Sequence, residues 1–528
     1  MALLEEVLTS QQMLESAREE SQLSMSMSDV VHNQIAIKFP WRLIIDTPQF
    51  QRLRRLQQLG LASLVYPSGD HSRFAHSVGV AHLARCLLTK LVEKNNWAAS
   101  DGAGEIDKKD ILCVELAALC HDLGHGPFSH VYDDEFVTLA RTRGRLPEEF
   151  VDWTHEKASI AMLDRLLEQN PSVDQKLRVM FELTDLDYVF IKECIYGPLD
   201  GNDGKYLGRP SNKHFLYDIV SNKHDGLDVD RFDYLIRDQL LTTVQCEFNA
   251  ATLERLFNGV AVRKTRQGHF RLCYAEKLKH DVITAGRTRF RLHECVCHHK
   301  TVTAAKILIL KAMDAAEPCL KFRGDDGKDY RLSNAMSNMG AYEQLTDGLY
   351  DAMKRVDLNP ELRESAALLA ALEKRELPKL ITRVTGEPRH LSGLGLKRKI
   401  LGQRPLEGDK EGRSVDASDF YVIISNSHHG SFGDNPVHRI LFYNHKTTAI
   451  EPPFHLSDQL FQGELVDKFD VGSVWVYGRY GLEVAKRVEI HRRVKAVCES
   501  IKAPLAVAPY RYAGRVEALL PVEVALRS

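Results

Sequence analysis

The run His121-Asp122-Leu123-Gly124-His125-Gly126-Pro127-Phe128-Ser129-His130 places three histidines and an aspartate within ten positions. Neutral imidazole and carboxylate are both good ligands for borderline divalent metals, and a metal held by them can activate water. Gly124 and Gly126 permit a sharp turn and a close approach of backbone to ligand. Pro127 is expected to end the preceding helix. That helix is read from Ile111 to Cys120, a run apolar on every face but one and therefore buried. For the His-Asp pair taken alone, a polar loop capping a core helix competes with a metal site. The elements that would complete a site decide between the two.

Several stretches bring matching side chains. His76, Val80, Leu83 and Leu87 share one helix face, with Arg73 one turn earlier; alone, a histidine there is more often a satisfied core residue than a ligand. From Asp228 to Leu241 a helix puts Asp230, Tyr234 and Asp238 at i, i+4 and i+8, one stripe along three turns. Flanked by Phe232, Leu235, Ile236 and Leu240, that stripe suits the wall of a polar pocket; a solvated acidic face is the alternative. Thr154 caps a predicted helix to Gln169 that carries His155 in its first turn. Thr47-Pro48 opens a further helix, on which Phe50, Leu53, Leu56 and Leu59 recur until Gly60 stops it. Gly286 to Lys300 is basic. Read as a helix it aligns Arg289, His293 and Cys297, either as a surface patch or as a phosphate grip.

At 528 residues two or three domains are expected. The fold class is mainly α: a mobile N-terminal arm over 1–28, a helical body over 29–377, and a smaller α/β lobe over 378–528. Strands are read in the lobe at Asp419–Ser425, Ile440–Tyr443 and Ser473–Tyr477, a helix at Gly481–Ile501, and a mobile loop at Gly402–Arg413. With a net charge of −2, bulk electrostatics favour neither nucleic acid nor membrane, so a polyphosphate ligand must be held by local cations. Ten scattered cysteines without a CxxC pair point to reduced thiols and a cytoplasmic or nuclear setting. No apolar run approaches the roughly 18 residues of a membrane span. Glu5 and Glu6 stand where a secretion signal would be basic.

His76, His121-Asp122 and Asp230, in that order and in helical context, resemble the HD superfamily of metal-dependent phosphohydrolases. The stretches Asp46–Arg54, Arg73–Gly79, His121–His130, Trp153–Glu156 and Asp228–Tyr234 resemble more closely the family of SAM- and HD-domain-containing deoxynucleoside triphosphate triphosphohydrolases, over about Asp29 to Arg375 and more weakly beyond. No SAM domain is expected before Asp29. The resemblance implies attack of water on the α-phosphorus of a dNTP, releasing deoxynucleoside and inorganic triphosphate. It implies one transition-metal ion (iron, manganese or zinc), together with magnesium, on His76, His121, Asp122 and Asp230. His125, His130 and His155 are implied as catalytic, with His130 the candidate general acid and Asp133 orienting and charging a neighbouring histidine. Gln58, Leu59, Arg73, Arg231, Tyr234, Asp238, Arg289, Cys297 and His298 are implied to bind substrate. GTP and dNTP activation of a homo-oligomer, dimer or tetramer, is implied through Asp46, Gln51, Arg54, Val65, Tyr66, His299, Lys300 and Arg375.

The departures are specific. Cys297-His298 replaces a Tyr-Gln pair against sugar and base, and the tyrosine is the family's barrier to a 2′-hydroxyl. Arg231 stands where the family has lysine. Met25 and Ser28 replace a lysine and an asparagine of the guanine-nucleotide site, and Gly259 and Ala275 replace two arginines of the second site. Two other readings stay open: an HD phosphohydrolase acting on another nucleotide, and an inactive metal-binding scaffold or nucleic-acid binder, for which Arg287–Arg291 and Lys397-Arg398-Lys399 supply basic runs.

Overall fold

The computed structural model describes residues 25–93, 102–386, 393–403, 414–428, 436–444, 451–456, 470–500 and 506–508. Most of the expected arm, and residues 404–413 of the expected mobile loop, lie outside these. Described structure begins at Met25, inside the expected arm. Strands β1 (Met25–Asp29) and β2 (Asn33–Ile37) form an antiparallel hairpin whose turn contains His32. Ile35 and Ile37 pack into the main core, which explains why the hairpin belongs to the body.

Helix α1 (Arg73–Glu93) and helix α2 (Lys108–Cys120) pack against each other at the centre of that core. Asp107 and Asp110 close α2 with a reciprocal capping box. α2 ends at Cys120, several residues before Pro127, so a turn rather than the proline terminates it. The helix expected after Thr47 is a single turn, Pro48–Gln51, that tightens into a 3-10 turn at Arg52–Arg55. Tertiary pairing overrides the periodicity: Gln57 bridges to Ser72, and its N–H donates to the Asp347 carboxylate at 2.8 Å. Helix α3 (His155–Gln169) starts at Thr154, which accepts from the Lys157 N–H. Phe215–Val220, read as helix, lies mostly in a 3-10 turn at Ser211–Asp218.

Helix α4 (Val229–Thr242) is capped by Asp228 and packs on α1. Leu240, expected as an apolar flank, faces solvent, being 48% exposed. Strands β3 (Val260–Lys264) and β4 (Phe270–Ala275) pair antiparallel. Helix α5 (Lys279–Leu292) runs into a π-helical turn at His293–Cys297, followed by helix α6 (Lys300–Ala316). Of the three residues expected on one face, His293 and Cys297, both in this turn, line one cavity, while Arg289 on α5 does not.

Past Glu373 the described residues divide between a second, smaller core and the main one, into which Leu380, Ile423, Trp475 and Tyr477 pack. The sheet between the two cores has β5 (Lys379–Gly386), β6 (Phe420–His428), β8 (Asp470–Gly478) and β9 (Ala506–Ala508) in the order β9-β5-β8-β6, all antiparallel, with helix α7 (Val484–Ser500) against it. The short strand β7 (Phe442–Tyr443) leaves this lobe and extends the β3-β4 sheet in parallel. Among the described residues no helix is long and apolar enough to cross a membrane. The body is mainly helical, as its sequence implies, and the lobe is α/β.

Candidate metal centre and substrate cavity

The turn after α2 is held by its own carbonyls. His121 O accepts from Ser159 Oγ at 2.6 Å, and Gly124 O from Tyr342 Oη at 2.7 Å. The fully buried Arg52 guanidinium donates to Leu123 O at 3.1 Å and to His125 O at 2.8 Å. A Cβ on Gly124 would lie 2.1 Å from Ser159 N. The glycine therefore serves the close approach of α3, not of a ligand. Gly126 meets Tyr132 in the same way, at 2.3 Å. Phe128 and Ser129 adopt φ of 58° and 55°, strained for residues with a Cβ. Phe128 N–H donates to Asp347 at 2.6 Å, while Ser129 Oγ donates to Gln57 O and accepts from Arg73 Nε. This fixes where His130 leaves the turn.

The four residues read as metal ligands converge. His76 Nε2 lies 2.9 Å from Asp230 Oδ1 and 3.8 Å from Asp122 Oδ2. His121 Nε2 lies 3.4 Å from Asp122 Oδ1 and 3.6 Å from Asp230 Oδ1. His121 Nδ1 donates to Ala118 O at 2.8 Å, which leaves the lone pair on Nε2, and that buried atom has no hydrogen-bond partner. A buried unpaired imidazole nitrogen beside two carboxylates and a second histidine fits a borderline divalent metal. Burial opposes charge on His76, but its hydrogen bonds to the Asp230 and Asp233 carboxylates outweigh it and lift its pKa to about 10. Burial also opposes ionisation of Asp122, yet the Arg73 guanidinium above all holds it well below the usual carboxylate range. The Arg73 Nη1 to Asp122 Oδ2 bond is 2.5 Å.

His125, Asp133 and His155 form a second buried cluster beside the first. His125 Nδ1 makes a short hydrogen bond to Asp133 Oδ2, and Asp133 Oδ1 accepts from Gly126 N–H at 3.0 Å. The neighbouring histidine that Asp133 orients is therefore His125. His125 Nε2 is 3.2 Å from Asp122 Oδ1, so the ring bridges two carboxylates. Burial and Arg73 oppose its charge, but Asp122 and Asp133 prevail and raise its pKa. His155 stacks on His125 with ring centroids 4.0 Å apart, and burial with the His125 charge drops it to about 4. The stacked pair is thus driven apart, the His125 pKa upward and the His155 pKa downward. His130, half-exposed, stands edge-on at 5.5 Å from His125, with Nδ1 3.2 Å from Asp134.

Next to these lies a cavity walled by Gln58, Leu59, Arg73, His130, Tyr234, Asp238, Cys297 and His298, all read from sequence as substrate contacts or catalytic groups. His293, aligned with Cys297 by helical spacing, lines it too, and so do Glu135, on a π-helical turn at Val131–Phe136, and Lys306 of α6, which were not singled out from sequence. Gln58 Oε1 is buried without a partner, an acceptor placed for a ligand hydroxyl. Asp238 Oδ1 accepts from His71 Nε2 at 2.9 Å. His298 is buried; its Nδ1 lies 2.9 Å from Ser427 Oγ, which donates to Glu294 Oε1 at 2.6 Å. The C-terminal lobe therefore reaches the cavity wall. Arg231 and Arg289, expected against phosphate, are not among the cavity's described walls, but both act electrostatically on the phenol of Tyr234, which is.

The residues read as allosteric separate into two groups. Asp46 is exposed near Arg42, while Gln51 Oε1 accepts from Arg54 Nε at 2.7 Å and the Arg54 guanidinium covers Phe74. Val65 follows the turn whose Leu64 carbonyl accepts from Arg375 at 2.6 Å, and the Tyr66 ring meets His299 at 6.0 Å. Lys300 and Arg375 line a pocket of about 360 Å³ with Lys379, a cation that sequence reading did not single out.

The HD-domain profile matches residues 73–185, which carry three of the four converging ligands. The deoxynucleoside triphosphate triphosphohydrolase SAMHD1 of Gallus gallus is 36% identical over 441 residues, covering 81% of this chain and 68% of that protein. The SAMHD1 enzyme of Homo sapiens is 36% identical over 428 residues, 79% of this chain and 64% of that one. A SAMHD1 homologue of Dictyostelium discoideum is 30% identical over 373 residues, 70% of this chain and 62% of that one. The chain thus spans about two thirds of the length of these relatives. On the strength of this similarity, and of an HD motif whose ligands converge, the chain belongs to the SAMHD1 family of HD-domain proteins.

Proposed function

We propose that the chain hydrolyses deoxynucleoside triphosphates to deoxynucleoside and inorganic triphosphate. The observation that carries this is the convergence of the buried His76, His121 and Asp122 with Asp230, beside His125 and a cavity walled by residues expected to meet the nucleotide. A divalent ion on those four residues, iron, manganese or zinc accompanied by magnesium, would supply acidity to a water and polarise a phosphoryl oxygen. The remaining work falls to the chain. Arg73 and the charged His125 stabilise the negative charge that gathers on the α-phosphoryl group in a secluded site. Oxygen of water bonds to the α-phosphorus as its bond to the 5′-oxygen breaks. His130, on the cavity wall, delivers the proton that the 5′-oxygen needs to leave. Gln58 and Asp238 orient the sugar through its 3′-hydroxyl. Incubation with a dNTP mixture and Mn²⁺ or Mg²⁺ tests this; deoxynucleoside and triphosphate are expected, and dNDP or dNMP as first products would refute it.

Cys297 on the cavity wall leaves room where the family has a tyrosine. The chain is therefore expected to turn over GTP with less discrimination against it than a Cys297→Tyr variant shows. Filling the gap should raise the dGTP-to-GTP ratio of kcat/KM by about tenfold or more, since overpacking of this kind costs roughly 1–3 kcal/mol. Equal, strong deoxy preference in both proteins would contradict the reading.

For regulation we propose that the pocket of Lys300, Arg375 and Lys379 receives the phosphates of an activating GTP or dNTP and links protomers of a dimer or tetramer. Gly259 and Ala275 lack the family's cations, so activation should be weaker than a fully cationic site would give. Arg375→Ala is expected to raise the nucleotide concentration needed for the sedimentation shift by roughly 10–100-fold, each charged contact contributing about 1.5–3 kcal/mol. A sedimentation profile indifferent to GTP and dNTP would remove this part of the proposal.

A further inference from the structure

The hairpin β1-β2 carries no residue of the metal set, yet it is bonded to that set through a closed ring of buried polar groups. Asp233, one turn after Asp230 on α4, is completely buried. A buried carboxylate is stable only with its acceptor sites filled. Its Oδ2 accepts from His76 Nδ1 at 2.8 Å and from Arg237 Nε at 2.7 Å. Its Oδ1 accepts from Arg237 Nη2 at 3.0 Å and from His32 Nε2, on the hairpin turn, at 2.6 Å. Arg237 also donates from Nη1 to Asp29 Oδ2 at 2.8 Å, and Asp29 Oδ1 accepts from the backbone N–H groups of Val31 and His32, each at 2.9 Å. The ring thus closes on the turn itself: Asp29 shapes the loop that presents His32, and both side chains grip α4.

Nothing in this ring has slack. A Cβ on Gly79 of α1 would sit 2.2 Å from Asp233 Oδ1 and 2.5 Å from Arg237 Nη2. The consequence falls on His76. A histidine ligand needs its second nitrogen to donate to a fixed acceptor, which sets the tautomer and aims the ring. Here that acceptor is Asp233, and of its four bonds one comes from the hairpin directly and two from an arginine that the hairpin's Asp29 also holds.

We propose that His32 and Asp29 are positioning residues for the metal centre, acting through Asp233 and Arg237 on the orientation of His76. The inference rests on the reading of His76, His121, Asp122 and Asp230 as metal ligands. Without His32, Asp233 Oδ1 keeps only its bond to Arg237, and the carboxylate can rotate away from His76. Without the Asp29 charge, Arg237 loses its second anchor and the hairpin its grip on α4. The hairpin then acts as a clasp behind the metal centre rather than as an ornament of the body.

The test is Mn²⁺ affinity of the full chain, measured by competition with a fluorescent chelator without substrate, for wild type, His32→Ala, His32→Gln and Asp29→Asn. Loss of an outer-shell partner typically weakens metal binding 10–100-fold. His32→Ala is expected to weaken Mn²⁺ binding about tenfold or more. His32→Gln, which retains a side-chain N–H donor, should recover to within about threefold of wild type. Asp29→Asn keeps the turn's acceptor oxygen but loses the charge, and should weaken binding by several-fold even if His32→Ala proves too unstable to purify. Wild-type affinity in both His32→Ala and Asp29→Asn overturns the clasp. Failure of the wild type to bind Mn²⁺, Fe²⁺ or Zn²⁺ overturns instead the metal reading beneath it.

Discussion

Asp122→Ala is expected to lose both the metal and dNTP turnover, with kcat/KM falling at least about 10³-fold. Removing even one preorganised donor from a secluded site costs about 10²–10³ in rate, and Asp122 contributes more than one interaction. It belongs to the converging set, it accepts from Arg73 at 2.5 Å, and it faces His125 Nε2 at 3.2 Å. Its loss strands the buried Arg73 guanidinium, and breaking a buried ion pair from one side costs roughly 3–5 kcal/mol of stability. His121→Ala separates the two effects. It also removes a ligand, but no guanidinium depends on His121, whose Nδ1 is bonded only to a backbone carbonyl. Metal content and turnover should vanish in both variants, whereas thermal stability should fall markedly in Asp122→Ala alone. Retained turnover in His121→Ala would exclude the proposed centre.

The second large effect is expected at Asp133→Asn. The carboxylate bonds His125 Nδ1 and, with Asp122, outweighs the burial that would discharge the ring. An asparagine keeps the volume and loses the charge, and its amide can present a donor to His125 where an acceptor is needed. A fall in kcat of roughly 10²–10⁴ follows, the range associated with a misassigned or discharged catalytic histidine. The direction with pH follows from the raised pKa. The charged form of His125 persists below its folded pKa and is lost as pH rises through it, so turnover declines on the alkaline side. Removing Asp133 lowers that pKa, and the alkaline decline should move to lower pH. A profile unmoved by Asp133→Asn, with a small drop in kcat, would place the catalytic charge elsewhere.

Legibility in the sequence follows how local each constraint is. His121-Asp122 is adjacent in the chain, and His76 and Asp230 sit on helices whose apolar periodicity is strong, so both their type and the burial of their surroundings can be read. The substrate wall is legible where it lies on α4, since Tyr234 and Asp238 share a stripe with Asp230. Asp233 is visible as a residue of the same motif, yet its function depends on a hairpin two hundred positions away and has no local signal. His293 and Cys297 reach the cavity wall together, as helical spacing implies, whereas Lys306 enters it from α6, whose packing over the cavity has no local signal. The truncated helix after Pro48 has a similar origin: Phe50, Leu53 and Leu56 are all buried, as the periodicity implies, but long-range bonds from Arg52 and Gln57 reshape the backbone beneath them. Gly124 and Gly126 were legible as close approaches, with the approaching group misassigned: α3 and Tyr132 rather than a ligand.

The proposed reaction breaks the bond between the α-phosphorus and the 5′-oxygen. Hydrolysis of dGTP in ¹⁸O-labelled water by the Mn²⁺-loaded chain, with both products analysed by mass spectrometry, tests it most directly. One ¹⁸O atom in the inorganic triphosphate and none in the deoxyguanosine is predicted, because water attacks the α-phosphorus and the 5′-oxygen departs with the nucleoside. Label in the deoxyguanosine, or label in orthophosphate released alongside dGDP, would contradict the account.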